Sequence, residues 1–151
     1  MERNIVLITL FAALIAVLGL VPKITLATGV PITAQSMGIM LCGTVLGAKR
    51  GFQAVLLFVF LTAVGLPLLA GGRGGLGIFA SPSMGFVIGF PIAAYAIGWV
   101  MEKTKTMAIL HSAVIAAAIG GILVLYIPGI LGMAVMLDKT VIVAATLMTP
   151  F

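Results

Sequence analysis

Few side chains in this sequence can do chemistry, and their spacing limits what that chemistry is. The segment that most suggests a ligand is Gly72-Arg73-Gly74-Gly75-Leu76-Gly77. It matches Gly-x-Gly-x-x-Gly, but a dinucleotide site needs a strand before the motif, a helix after it and an acid about 20 residues on. Here a proline-ended apolar run precedes it, and the next acid is Glu102. Two readings remain: a glycine-rich turn whose backbone approaches a ligand closely, with Arg73 gripping a carboxylate, or a solvated loop charge.

The rest of the polar inventory excludes more than it offers. No Gly-x-x-x-x-Gly-Lys-Ser/Thr loop is present to hold nucleotide phosphates. The acids Glu2, Glu102 and Asp138 all fall near predicted helix ends or loops, so they form no proton relay across a membrane. Uphill transport by this chain would therefore draw its energy from another subunit. His111 is the single histidine and reads as a satisfied or interfacial side chain; Cys42, alone in an apolar run, reads as a small buried hydrophobe. One histidine and one cysteine make no metal site. No nucleophile has a base, so no catalytic residue is assigned and the chain is not expected to be an enzyme.

Whatever positions Arg73 must be membrane-embedded. Of 151 residues, 63% are apolar and 7% charged, against about 45–50% and about 25% in soluble domains. The eight bases and three acids give +5, spread too thinly for a nucleic-acid surface. With about 20 residues per span, residues 1–151 read as one membrane-embedded domain with no separate soluble part.

The charges punctuate the chain. Ile5–Val21 is a 17-residue uncharged run, longer than a usual signal-peptide core, and Val21-Pro22-Lys23 is no small-residue cleavage site, so it reads as a first helix. Gly29-Val30-Pro31 breaks the next run, which predicts a second helix over Thr33–Ala48 after an irregular Lys23–Ile32 connection. The third is expected at Phe52–Leu69 and the fourth at Ser83–Met101; the fifth starts near Met107 and is kinked or divided at Pro128-Gly129. Thr140–Phe151 is too short to cross at 1.5 Å per residue. The expectation is an all-α bundle of five spans and a C-terminal stub. With alternating spans, Arg3, Lys49, Arg50, Lys103 and Lys105 share one side and Lys23, Arg73 and Lys139 the other, which puts the first group and the amino terminus in the cytoplasm of a multi-pass plasma-membrane protein. Small residues four apart, such as Ala12 and Ala16, Gly43 and Gly47, Gly85 and Gly89, or Ala117 and Gly121, allow close helix contact.

Five ordered segments resemble the BioY family: Gly29-Val30-Pro31-Ile32-Thr33-Ala34-Gln35, Gly47-Ala48-Lys49-Arg50-Gly51, Gly65-Leu66-Pro67-Leu68, Ala70-Gly71-Gly72-Arg73-Gly74-Gly75 and Ser81-Pro82-Ser83-Met84-Gly85-Phe86. The resemblance runs from Ile5 to Phe151. It implies the biotin-capturing S component of an energy-coupling-factor (ECF) transporter: a six-helix fold with an outward-facing pocket, no cofactor, biotin as transported ligand, and as partners a transmembrane coupling protein and two ATPase subunits. Residue by residue, it implies ligand contacts at Gln35, which closes Val-Pro-x-x-x-Gln, at Gly72 and Arg73 in the glycine loop, and at Ser83 and Phe86. Phe86 stands where the family carries tyrosine and Ser81 where it carries glycine; Val87 stands where some members carry arginine. Ala12 and Ala16 are implied as the seam docked on the coupling protein. The family continues past this point with Pro-Gly-Asp-x-x-Lys opening a sixth helix, whereas this sequence stops at Pro150-Phe151, so the resemblance implies a fold lacking that helix. Competing expectations are an S component for another small anionic vitamin, suggested by Phe86 and Val87, and a truncated membrane fragment without transport function.

Overall fold

The computed structural model of the protein describes residues 2–25 and 31–147; Gly29, Val30 and Pro150-Phe151 lie outside the described residues. Five apolar rods follow one another: α1 (Glu2–Leu18), α2 (Gln35–Leu46), α3 (Ala48–Val64), α4 (Met84–Lys103) and a 28-residue rod over Ile109–Met136. That last rod consists of α5 (Ile109–Ala116), a π-helical stretch (Ala117–Val124) and α6 (Leu125–Met136), and a short α7 (Val141–Leu147) follows. Two rods, Met84–Lys103 and Ile109–Met136, are long and apolar enough to cross a membrane. At 1.5 Å per residue the 20 residues of α4 match a hydrocarbon thickness of about 30 Å.

The helix ends differ from the sequence expectation for local reasons. The first helix starts at Glu2 rather than Ile5, where an acid suits the positive end of the helix, and it stops at Leu18 ahead of Gly19 and Pro22. The connection expected to be irregular contains a two-stranded antiparallel ribbon, β1 (Ile24–Thr25) and β2 (Pro31–Ile32), with Ile24 opposite Ile32 and Thr25 opposite Pro31. Proline is tolerated there because a two-stranded ribbon leaves free edges. The third helix runs Ala48–Val64 and not Phe52–Leu69. Gly47, at φ 80°, separates it from α2, and Gly65, at φ 123°, ends it five residues early. Charged Lys49 and Arg50 join its first turn because Glu102, at the end of α4, accepts the Ala48 backbone N–H at 3.0 Å. Pro128 does not divide the last rod, which runs on through it to Met136. The missing proline N–H is accommodated by the wider π-helical turns just before it.

α4 is the central rod, in contact with α2, α3, α5 and α6. Its glycines set those crossings. Gly98 lies on the Gly47–Ala48 backbone, Gly85 on the backbone of Pro128 and Gly132, and Gly89 on the Pro128 ring, while Gly43 of α2 faces Ala94 and Ile97. Most small-residue pairs are thus internal contacts. Ile15, Ile39, Val55, Phe58 and Ile97 fill the spaces between. The outside is equally apolar: Ile5, Val6, Leu10 and Val17 on α1, Ile88, Ile92 and Trp99 on α4, and Ile119, Leu123, Ile127 and Leu131 on the last rod are exposed. Such a surface suits lipid and not water.

Polar groups gather at two ends of the bundle. At one end Arg50 Nη1 donates to Asn4 Oδ1 at 3.4 Å, Glu102 caps α3, and Lys103 lies 5.8 Å from the Trp99 ring centroid. The glycine loop and Arg73 lie at the other, beyond the C-terminus of α3.

Candidate functional site

The loop between α3 and α4 is built to return its chain on itself. Leu69 and Arg73 pair across a tight turn, the Leu69 N–H donating to Arg73 O at 3.0 Å and the Arg73 N–H to Leu69 O at 3.2 Å. The turn requires left-handed backbone at Gly71 (φ 81°) and Gly72 (φ 69°), which glycine adopts without strain. A 3₁₀ turn at Leu76–Ala80 then leads to Ser83 at the head of α4. The end of α3 and not a strand leads into the glycines, and only a five-residue 3₁₀ turn follows them, so the strand–loop–helix setting of a dinucleotide site is not formed here.

Arg73 is half-buried, and its guanidinium points across to α4. Nε donates to Ala70 O at 3.4 Å and Nη1 to Ser83 Oγ at 3.3 Å. Ser81 Oγ donates its proton to Ile78 O at 2.7 Å, so in the 2.9 Å contact between the two serines Ser83 is the donor and Ser81 the acceptor. Ser83, buried at the helix start, therefore presents its oxygen to the guanidinium. Both arginine bonds are long, and of five guanidinium N–H groups they engage two, leaving planar donors for an anion.

Gln35, Arg73, Ser83 and Phe86 come together around one cavity of about 220 Å³ between the heads of α2 and α4 and the middle of the last rod. Phe86 forms a wall, edge-on to Tyr126 at 6.4 Å between ring centroids and 77° between planes. Gly72 is not part of the lining. It is exposed, with open space where a Cβ would sit, and its contribution is the turn that aims Arg73. Met40, Leu69, Val87, Phe90 and Leu125 make most of the surface apolar, and Arg73 is the one charged side chain lining it among the described residues. Thr33, Ser36 and Tyr126 add hydroxyls that make no hydrogen bond among the described residues. Sequence reading missed these three. Thr33 and Ser36 flank Gln35 and were within reach of the motif, but nothing in the spacing brings Tyr126, 40 residues beyond Phe86, to the same wall.

The docking pair divides. Ala12 is 4% exposed and belongs to the core, whereas Ala16 is half-buried and packs against that core while keeping part of its surface exposed. Ala12 lets α1 approach its own neighbours, and of the two Ala16 is the one with exposed surface. His111 is exposed and distant from the cavity, and Cys42 is buried and unpaired. No group of three or more metal-ligating side chains occurs among the described residues.

The whole of residues 2–151 matches the BioY family. The chain belongs to the BioY family. Over 132 residues, 87% of this chain and 70% of the relative, it is 56% identical to the biotin transporter BioY of Rhodobacter capsulatus. It is 51% identical over 134 residues to that of Rhizobium etli, covering 85% of this chain and 72% of the relative. In three dimensions it is similar to a crystal structure of the S-component for biotin from an ECF-type ABC transporter. The TM-score is 0.89 at 29% identity, over 96% of this chain and 78% of that one. The BioY fold is thus a helical membrane fold of a transporter component and not of an enzyme.

Proposed function

We propose that the chain is the biotin-capturing S component of an ECF-type transporter, a single membrane-embedded substrate-binding domain crossing the bilayer five times with its amino terminus in the cytoplasm. The observation that carries the reading is the convergence of Arg73, Ser83 and Phe86 on one cavity from separate segments of the chain. Biotin is an apolar chain that ends in a carboxylate at one end and a ureido ring at the other. The Arg73 fork suits the carboxylate, Phe86 and the aliphatic walls suit the chain, and the free hydroxyls of Thr33, Ser36 and Tyr126 suit the ureido group. Five bases at the Arg50 end against three at the Arg73 end, with Asp138 beside Lys139, support the orientation.

Binding without energy is what the chain's own chemistry allows, because it has no nucleotide loop and no intramembrane acid. A coupling protein and two ATPase subunits would supply the driving force. Vesicles carrying the chain alone should bind labelled biotin but not accumulate it against a gradient, and accumulation should appear when those subunits and ATP are added. Concentration of biotin by the chain alone would contradict the assignment.

Ala16 carries the docking part of the reading. Ala16→Leu should reduce co-purification of the coupling protein several-fold while leaving biotin affinity within about two-fold, since it lies outside the cavity. Ala12→Leu should instead lower the melting temperature, because the added volume enters the core. Undiminished co-purification with Ala16→Leu would remove α1 from the docking surface.

A further inference from the structure

Gln35 heads α2 and lines the cavity, yet its carboxamide is engaged elsewhere. The side chain is 1% exposed. Nε2 donates to Ile15 O of α1 at 3.2 Å and to Leu68 O of the glycine loop at 2.9 Å, and Oε1 accepts the Ala70 N–H at 3.0 Å. Both amide hydrogens are used, and the opposite amide orientation would set oxygen against two carbonyls. The bonds join three parts of the chain at one point: α2, α1 and the segment leading into the Arg73 turn.

That segment is folded on itself by the Leu69–Arg73 pair and held by the buried Leu69 and Ala70, and among the described residues the Gln35 amide makes the side-chain hydrogen bonds that tie its backbone to α1 and α2. Gly65, Gly71, Gly72 and Gly75 all adopt positive φ, and glycine-rich backbone is the least ordered by its own sequence. Ala70, held through its N–H by Gln35, is the residue whose carbonyl accepts Arg73 Nε. A relay therefore runs from the Gln35 amide through Ala70 to the guanidinium and on to Ser83. α1 closes against the same point: a Cβ at Gly19 would lie 2.6 Å from Leu68 O and 2.8 Å from Gln35 Nε2.

We propose that Gln35 is a positioning residue of the anion site, fixing the Leu68–Ala70 backbone against α1 so that Arg73 stays at the cavity, and that its amide is not a ligand contact. The proposal rests on the reading of Arg73 as the carboxylate partner. A double-substitution cycle on biotin affinity tests it, using wild type, Gln35→Met, Arg73→Ala and the double variant. Gln35→Met keeps the length and removes the three bonds. It should weaken biotin about ten-fold in the wild-type background and less than two-fold once Arg73 is alanine, since interacting residues are non-additive. Biotin methyl ester, which lacks the charge, should bind both single variants about equally. Gly19→Ala, which disturbs the same junction from α1, should reproduce the pattern and decides the matter if Gln35→Met does not fold.

The outcomes separate. If Arg73→Ala weakens biotin but Gln35→Met adds to it in full, or weakens acid and ester alike, Gln35 acts on the ligand or on the fold at large and the proposal is overturned. If Arg73→Ala itself has no effect, the carboxylate reading fails first, and the positioning role goes with it.

Discussion

Replacing Arg73 with alanine is expected to weaken biotin binding by about 10- to 150-fold. A carboxylate entering a largely apolar cavity gives up hydration, and the guanidinium is the one charged donor among the described lining residues. Hydrogen bonds to charged groups contribute roughly 1.5–3 kcal/mol, and about 1.4 kcal/mol corresponds to ten-fold. Arg73→Lys should recover only part of the loss: lysine keeps the charge but not the planar fork, and its shorter reach toward Ser83 replaces two directed N–H groups with one point charge. Biotin methyl ester should bind wild type weakly and be nearly indifferent to either substitution. Titration calorimetry or equilibrium dialysis reads all of these, on the 151-residue chain and in parallel on a version extended by a Pro-Gly-Asp-x-x-Lys helix. Equal biotin affinity with and without the guanidinium in both versions would make Arg73 a solvated loop charge.

The second large effect lies far from that loop. Gly98→Leu should prevent the helices from assembling, and Gly98→Ala should destabilise by about 1–3 kcal/mol. A methyl there would meet Gly47 and the backbone of Ala48. Backbone yields less readily than the end of a flexible side chain, so relief would require α4 to move away from the α2–α3 junction. That movement would also loosen the Glu102 cap on Ala48. Gly77 supplies the control: a Cβ there meets nothing within 4 Å and its φ is not left-handed, so Gly77→Ala should be nearly neutral. Thermal unfolding in detergent, followed by size-exclusion elution, distinguishes the two. A melting temperature for Gly98→Ala equal to that of Gly77→Ala would mean that α4 does not cross as closely as described.

What the sequence made legible follows from how strong each local signal is. Long uncharged runs located all five rods, because an apolar run of that length satisfies its backbone hydrogen bonds within itself only as a helix. Glycine and proline located the loops, since Gly47, Gly65 and Gly71–Gly72 adopt backbone that other residues resist. Gln35, Arg73, Ser83 and Phe86 were picked out by motif, and they line one cavity. The misses have a common origin in tertiary context. Pro128 signals a break, but α4 places Gly85 and Gly89 against it, and the π-helical turns absorb the lost hydrogen bond. The burial of Ala12 beside a half-exposed Ala16 depends on how α1 is rotated about its axis, and an all-apolar helix carries no polar face from which to read that rotation. Tyr126 belongs to the cavity only because the last rod crosses α4 at the level of Phe86. The Gln35 amide looks like a ligand contact until its three backbone partners are counted, and those partners are 20, 33 and 35 residues away.

A photoreactive biotin tests the central claim most directly. Irradiated with the purified chain in lipid nanodiscs, and mapped by mass spectrometry, it should label peptides spanning Leu69–Arg73 and Ser83–Phe90, which supply Arg73, Ser83, Phe86, Val87 and Phe90 to the cavity. Excess unlabelled biotin should suppress that labelling, and biotin methyl ester should suppress it far less. Labelling confined to other segments, or labelling of these two that free biotin does not reduce, would contradict the assignment of this cavity as the place where the chain captures biotin.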